Sequence, residues 1–144
     1  MNTFTSFGTV GAKGKDKRSA GIVVQFRGLD QLMKMFDRLT PEMARSMDMW
    51  ANKSLYKVQR EAQLETPVDT GTLLNSIYTS PKGLIRGFVS TNTDYALFVH
   101  EGHKVGGSGR KIPANRFMER GLKNSEAYMD AKLDEVITNV IRNL

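Results

Sequence analysis

The chain has 144 residues, 40% of them hydrophobic and 25% charged, which is the balance of one ordinary globular domain. It contains no cysteine, so disulfide bonds and thiolate metal sites are excluded, and no apolar run approaches the roughly 18 residues that indicate a membrane span. The formal net charge of +6 favours nucleic acid or another acidic surface as a partner, although the same excess could serve solubility alone.

The first part of the chain predicts an arm, a strand and a short helix. Residues 1–20 combine glycines with lysines and have no periodic apolar face, so they predict a flexible arm ahead of a single domain over residues 21–144. The alternation of Ile22, Val24 and Phe26 predicts a half-buried strand. Beyond the turn that follows it, a short helix is predicted from its apolar side, which consists of Leu32, Met33, Phe36 and Leu39.

A long helix is predicted from Thr40 onward, because Thr40 can cap the first turn and Pro41 is tolerated at the first helical position. Pro67 predicts its end, since a proline disfavours helical geometry in the residue before it, Thr66. One face is apolar or small at steps of three and four residues: Met43, Met47, Trp50, Ser54, Val58 and Ala62. We interpret this face as core rather than as a ligand pocket.

The second half of the chain predicts a hairpin and then helices. Pro81 and Gly83 separate two strand-like segments, 77–80 and 84–92. Residues 94–99 fit either a further strand or a short helix, and residues 104–111 are glycine-rich and basic, which is typical of a mobile loop.

Two helical patterns close the chain. A helical segment is predicted from Pro113, and a second pattern after Ser125 has the apolar residues Met129, Leu133, Val136, Ile137, Val140, Ile141 and Leu144. The apolar edge of this last helix needs a partner, either the sheet or another subunit. Together the elements predict an α+β fold, in which a small antiparallel sheet of three to four strands is packed by the long central helix and the C-terminal helix.

Asp69, Thr70 and Gly71 form the tripeptide found in aspartic proteases, where two such aspartates share one proton. That fold consists almost entirely of strands, whereas here a long helix precedes the tripeptide and a short helical pattern (Leu73, Leu74 and Ile77) follows it. We therefore interpret Asp69 or Thr70 as a cap of the short helix and Gly71 as a turn residue.

The only histidines, His100 and His103, flank Glu101 and Gly102 in a tetrapeptide that falls one position short of the zinc-binding pattern His-Glu-x-x-His. A third ligand would have to be a distant carboxylate. The spacing predicts no metal site, and it indicates local roles instead, with Glu101 as a hydrogen-bond or ion-pair partner and Gly102 as a turn.

Two glycine-lysine stretches, residues 8–15 and 106–111, both miss the spacing of a phosphate-binding loop and both lack a preceding buried strand. We therefore predict no catalytic residue and no cofactor. Three aromatic residues, Tyr95, Phe98 and Phe117, are candidates either for a subunit contact or for the core.

Three sequence blocks in a fixed order resemble the minor tail-component, or tail-completion, family of long-tailed bacteriophages. The first two blocks contribute the motif residues Pro67, Asp69, Thr70, Gly71, Leu73, Ser76 and Ile77, then Tyr95, Ala96, Val99, Glu101 and Gly102. The third is residues 112–118, and the resemblance covers about residues 22–144. The chain departs from the family pattern at His100, at His103 and in residues 112–118, which flank the 104–111 loop.

The resemblance implies a non-enzymatic structural protein of the virion, located in the tail or at the head–tail junction and assembled in the host cytoplasm. It implies a ring with six- or twelvefold symmetry that contacts connector, terminator or tail-tube proteins near the genome DNA, with no cofactor and no membrane. Candidate interface residues are Lys13, Lys15, Lys17, Arg18, Lys104, Arg110, Lys111, Arg116 and Phe117. The alternative is a basic module that binds nucleic acid without sequence preference.

Overall fold

The computed structural model of the chain describes residues 21–25, 40–68, 71–81 and 86–143. Several predictions concern residues outside these ranges: the flexible arm, the short helix between Gln25 and Thr40, the capping role of Asp69 or Thr70, and the tip of the hairpin. Among the described residues no helix is long and apolar enough to cross a membrane.

The elements follow one another in the order predicted for an α+β protein. They are β1 (Gly21–Gln25), α1 (Pro41–Glu65), α2 (Thr72–Ser76), β2 (Ile77–Pro81), β3 (Arg86–Thr91), α3 (Ala96–Glu101), β4 (His103–Lys104), β5 (Lys111–Ile112) and α4 (Phe117–Arg142). Strand β3 lies in the centre of an antiparallel sheet with the order β1-β3-β2, and β4 and β5 form a separate antiparallel pair. The predicted α+β class, with its small antiparallel sheet and two long helices, is therefore confirmed.

The long helix α1 has the limits that its sequence predicts. The Thr40 hydroxyl accepts a hydrogen bond from the Met43 amide (3.4 Å), and Pro41 occupies the first turn. At the other end Thr66 is extended, with φ −75° and ψ 129°, directly before Pro67. The whole apolar face predicted for this helix is buried.

Helix α4 is one continuous helix that begins at Phe117, so the prediction of a helical segment from Pro113 and a separate pattern after Ser125 was wrong. The amides of Asn115 and Arg116 donate to the carbonyls of Val99 (3.1 Å) and His100 (3.0 Å), which holds this stretch against the end of α3. Arg116 has φ +54°, and the helix can begin only after it. Ser125 lies within the helix, where its buried hydroxyl is satisfied by donating to the Gly121 carbonyl (2.7 Å).

The core lies between α1, α4 and one face of the sheet. Its fully buried members include Leu55 and Val58 of α1, Val89 of β3 and Met129 of α4. Burial of each large apolar side chain stabilises the fold by about 1.5–3 kcal/mol, because its surface is removed from water. The apolar edge of α4 is buried within the chain as far as Leu133, and Val136 and Ile137 pack against the same core while partly buried, whereas Ile141 near the C-terminus is 57% exposed.

Two glycines allow the layers to approach closely. A Cβ atom on Gly121 of α4 would lie 2.5 Å from the Ala62 amide nitrogen of α1, and a Cβ atom on Gly87 of β3 would lie 2.3 Å from Leu55 Cδ1. The helix pair therefore crosses with main chain against main chain at Gly121, which fixes where the N-terminal end of α4 lies relative to α1.

Candidate functional site

The first motif block turns the chain from α1 into the hairpin. Pro67 is exposed and ends α1, while Gly71 adopts φ +80°, a conformation that glycine reaches without strain. Leu73 in the following turn is buried in the core. Gly71 therefore has the predicted turn role. Pro67 and Gly71 change the direction of the main chain between α1 and α2.

Ser76, the motif serine, is held by a cluster of hydroxyl groups. It shares hydrogen bonds with the hydroxyls of Thr91 and Thr93, and its Oγ donates to the Leu73 carbonyl (2.7 Å). Thr91 is buried and also bonds to Thr93 (2.8 Å). None of these partners is a base that could activate the serine as a nucleophile, so the cluster ties α2 to the end of β3.

The second motif block forms α3, which settles the choice between strand and helix left open by its sequence. Ala96 is fully buried, and the His100 ring is only 2% exposed, with its edge against the Phe117 ring at a centroid distance of 5.3 Å. Tyr95 and Phe98, in contrast, are 42% and 47% exposed. The block thus has an inner side that packs on the start of α4 and an outer side that presents aromatic rings.

Glu101 joins α3 to the beginning of α4 through an ionic network. Its Oε1 lies 2.8 Å from His100 Nδ1, and its Oε2 lies 3.8 Å from Arg116 Nη2. Arg116 Nη1 donates to Glu119 Oε1 (2.9 Å). Glu101 therefore has the predicted local role of a hydrogen-bond and ion-pair partner. The network holds together the two ends of the segment between α3 and α4.

Within the described part of the chain, His100, Glu101 and Glu119 form the group that could hold a metal ion, since one ligand atom from each lies within 4.8 Å of the others. The guanidinium of Arg116 already balances both carboxylates. His103 lies apart from this group, with its Nδ1 3.3 Å from the Phe98 carbonyl. Glu119 was missed by sequence reasoning, because only the reversal of the chain between α3 and α4 brings it near Glu101.

Residues 103–112, which we call the ribbon, form a hairpin between α3 and α4. Its ends pair as β4 and β5, and the Val105 amide donates to the Arg110 carbonyl (2.8 Å). Gly102 at its base has φ +76°, and a Cβ atom there would lie 2.6 Å from the Ile112 carbonyl oxygen. The segment predicted as a loop therefore has paired ends, and only its glycine-rich tip is free of β pairing.

The ribbon is basic and exposed. Lys104, Arg110 and Lys111 are its charged residues, and residues 102–115 contain no aspartate or glutamate. None of the three cations makes an ion pair with another described residue. Arg116 differs from them, since its charge is shared between Glu101 and Glu119.

Exposed apolar side chains adjoin these cations. Phe98 contacts the ring of His103 (5.9 Å between centroids), Tyr95 directly precedes α3 as its N-cap residue, and Val105 of the ribbon is 40% exposed. Together these groups make the ribbon surface: Tyr95, Phe98, Lys104, Val105, Arg110 and Lys111. Aromatic residues and arginine are the residue types enriched at the centre of protein interfaces.

Phe117 has to be removed from the candidate interface. Its side chain is fully buried against His100 at the start of α4, so it belongs to the core of this fold. The remaining candidates near the N-terminus, Lys13, Lys15, Lys17 and Arg18, lie outside the described residues.

Comparison with known proteins places the chain in a family. Residues 30–102, just over half of the chain, match the family model described as "Bacteriophage HK97-gp10, putative tail-component". The chain is also 31% identical over 93 residues to the uncharacterized protein YqbI of Bacillus subtilis (strain 168), and the match covers 56% of each chain, so it spans little more than half of that relative. No solved structure matches the chain. The chain therefore belongs to the HK97-gp10-like family of bacteriophage tail components, as the sequence resemblance implied.

Proposed function

We propose that this chain is a ring-forming structural subunit of a phage tail that acts in tail completion or head–tail joining. The observation that carries the proposal is the ribbon surface, which combines three cations without ionic partners among the described residues with exposed aromatic rings. Such a surface suits a contact with another protein. Membership of a tail-component family supports the same assignment.

The motif residues support an architectural rather than a chemical role. Gly71 and Gly102 turn the main chain, Leu73 and Ala96 fill the core, and Ser76 bonds to other hydroxyl groups. We infer that the chain is not an enzyme and uses no cofactor, and that its work consists of holding neighbouring subunits in place.

The proposed partners are further copies of the chain, in a ring of six- or twelvefold symmetry, and the adjoining connector, terminator or tail-tube proteins of the virion. A ring repeats one head-to-tail contact until it closes, so each subunit needs two different complementary surfaces. The ribbon surface is one of them. Lys13, Lys15, Lys17 and Arg18 lie outside the described residues and stay predicted interface residues.

Particles assembled without this protein provide the test. We expect heads and tails that fail to join or tails that remain incomplete, and infectivity restored by the wild-type chain. The variant Tyr95→Ala/Phe98→Ala should fold but restore infectivity poorly. The matched control is Met49→Ala/Tyr56→Ala, which removes two similarly exposed side chains from α1 and should restore it fully. Intact, infectious particles without the protein would contradict the proposal.

The second candidate function is non-specific binding of nucleic acid, which the unbalanced charge of the ribbon favours. Binding of duplex DNA would then weaken steeply with salt, by roughly one released counterion for each neutralised phosphate. A gel-shift titration at two salt concentrations tests it, with Lys104→Glu/Arg110→Glu/Lys111→Glu as the variant that should lose binding. Absent or salt-insensitive binding by the wild-type chain would reject this function.

A further inference from the structure

We propose that the ribbon of one copy docks on an acidic stripe of the next copy, formed by Glu126, Asp130 and Asp134 of α4. The inference rests on the proposed function, because it names the partner of the ribbon surface within the assembly. It assigns both sides of the repeated contact to residues of this chain.

The strand pairing within the ribbon brings positive charges together, which favours an anionic partner. Lys104 and Lys111 lie directly opposite each other in the register of β4 and β5. Like charges in directly opposite positions of an antiparallel pair repel and destabilise it. Arg110 adds a third positive charge, and no acidic residue of the ribbon relieves the repulsion. A partner that brings carboxylates would stabilise the pair.

The stripe supplies the matching negative charge. Its three acids follow one another at intervals of four residues on α4, so they share one side of the helix over a length of about 12 Å. Asp130 and Asp134 are exposed, and none of the three forms an ion pair with another described residue. Lys123 lies one turn before Glu126, so the two aspartates are the most available anions.

The neighbouring acid of α4, Glu135, has a different position and is not part of the stripe. Lys132 Nζ donates to Glu135 Oε2 at 2.9 Å, and this hydrogen bond together with the lysine charge lowers the pKa of Glu135 below its usual range. Its charge is therefore already balanced within the chain. Ala127 and Ala131 beside the stripe are exposed and small, so a ribbon could approach the helix closely.

The placement of the two patches favours a contact between copies rather than within one chain. The ribbon joins α4 at its N-terminal end, and Asp130 lies 13 residues beyond Phe117, which is about 20 Å along the helix. All the charged residues of the ribbon are exposed, so the ribbon does not fold back onto its own helix. Two different, complementary and separated patches generate a head-to-tail contact, which can close into a ring.

The other exposed apolar face of the chain is less suited to the ribbon. It lies on α1 and includes Met49, Tyr56 and Leu64, each more than half exposed. The charges of this helix are mixed, since Arg45 and Arg60 alternate along it with acids such as Glu42 and Asp48, so it offers a basic ribbon no continuous row of anions. The acidic stripe therefore remains the better partner among the described residues.

Charge reversal on each side, and on both, tests the inference in the full-length chain. One variant reverses the ribbon (Lys104→Glu/Arg110→Glu/Lys111→Glu), and another reverses the stripe (Glu126→Lys/Asp130→Lys/Asp134→Lys). Each alone should weaken self-association, measured by sedimentation equilibrium, by roughly tenfold or more, because attraction becomes repulsion. The six-substitution variant that combines them should recover it, as should an equimolar mixture of the two triple variants.

The controls separate this inference from the proposed function. Reversal of three exposed cations elsewhere, Arg45→Glu/Arg60→Glu/Arg142→Glu, lowers the net charge by the same amount as the ribbon variant and should leave self-association within about twofold. Wild-type assembly that neither triple variant disturbs, or that the six-substitution variant fails to recover although it folds, would overturn the stripe as the partner while the ring could stand. Loss of duplex DNA binding by the ribbon variant with unchanged self-association would overturn it in favour of nucleic acid.

Discussion

The indole nitrogen of Trp50 in α1 donates a hydrogen bond to the main-chain carbonyl of Met129 in α4, at 3.1 Å and over a sequence separation of 79 residues. Both residues are buried, so the bond fixes the register of the two long helices in a place that water does not reach. We expect Trp50→Phe to lower the free energy of unfolding by about 1–3 kcal/mol, through loss of the bond and of ring volume. Because Trp50 is the only tryptophan, unfolding in urea should be followed by circular dichroism. Tyr56→Phe, at an exposed site on the same helix, is the control and should change little.

The closest approach of α1 and α4 makes a second prediction. Gly121→Ala would place a methyl group 2.5 Å from the Ala62 nitrogen, where main chain must move to make room. Alanine is favoured over glycine in a helix by about 1 kcal/mol, yet the clash should outweigh this gain and give a net loss of about 1–3 kcal/mol. The midpoint of thermal unfolding measures it. Gly106→Ala in the ribbon, with no atom within 4 Å of the added carbon, should be neutral. Equal stability of both variants would show that the helices are farther apart than described.

A third prediction compares Gly107 in the ribbon with Gly102 at its base. Gly102 and Gly107 both have positive φ (76° and 85°), but only at Gly102 would a Cβ atom meet main-chain atoms, the nearest at 2.6 Å. Gly107→Ala should therefore lower the free energy of unfolding by only about 1 kcal/mol, the cost of holding alanine in a left-handed conformation. Gly102→Ala should cost more, because φ 76° and ψ 165° form a conformation open almost only to glycine and because the base of the ribbon has to open. Infectivity of complemented particles would then fall for Gly102→Ala and stay near normal for Gly107→Ala, and the reverse order would contradict this view of the ribbon base.

The hydroxyl cluster at the end of β3 makes a fourth prediction. Thr91→Val keeps the shape of a buried side chain but removes the hydroxyl that bonds to Ser76 and Thr93. We expect a loss of about 1–2 kcal/mol in urea unfolding, since a hydrogen bond made in the interior is lost. Thr79→Val is the comparison: its hydroxyl donates to Gln59 Oε1 (2.6 Å) at a half-buried site where water can replace the bond, so this variant should cost less than Thr91→Val. An unchanged stability of Thr91→Val would mean that the cluster does not hold α2 to the sheet.

The exposed pair of Lys132 and Glu135 makes a prediction about pH. The lysine lowers the pKa of Glu135, so the pair adds stability above the ordinary carboxyl pKa and loses it as pH falls through the lowered value. We expect Lys132→Gln to return the pKa of Glu135 to its ordinary range in an NMR titration. Because both groups are fully exposed, solvent screens the pair, and the stability lost at neutral pH should be too small to shift the unfolding transition.

The sequence by itself determined the elements whose causes are local. Thr40 and Pro41 begin α1 and Pro67 ends it, since capping and the geometry of proline act over only a few residues. The buried face of α1 follows from a repeat of three and four residues, and the hairpin of β2 and β3 follows from turn chemistry between two strand-like segments. The same local blocks, in their order, were sufficient to indicate the tail-component family.

Only the tertiary structure decided what depends on distant partners. Helix α4 starts at Phe117 because the amides of the two preceding residues bond to the carbonyls of Val99 and His100. Phe117 is buried because α3 packs against it. The apolar periodicity of the helix predicts neither feature. Glu119 joins Glu101 only because the ribbon reverses the chain, and Lys104 faces Lys111 only because β4 and β5 pair. Contacts of this kind depend on how distant elements pack against one another. A local sequence pattern predicts each element but not the contacts between them.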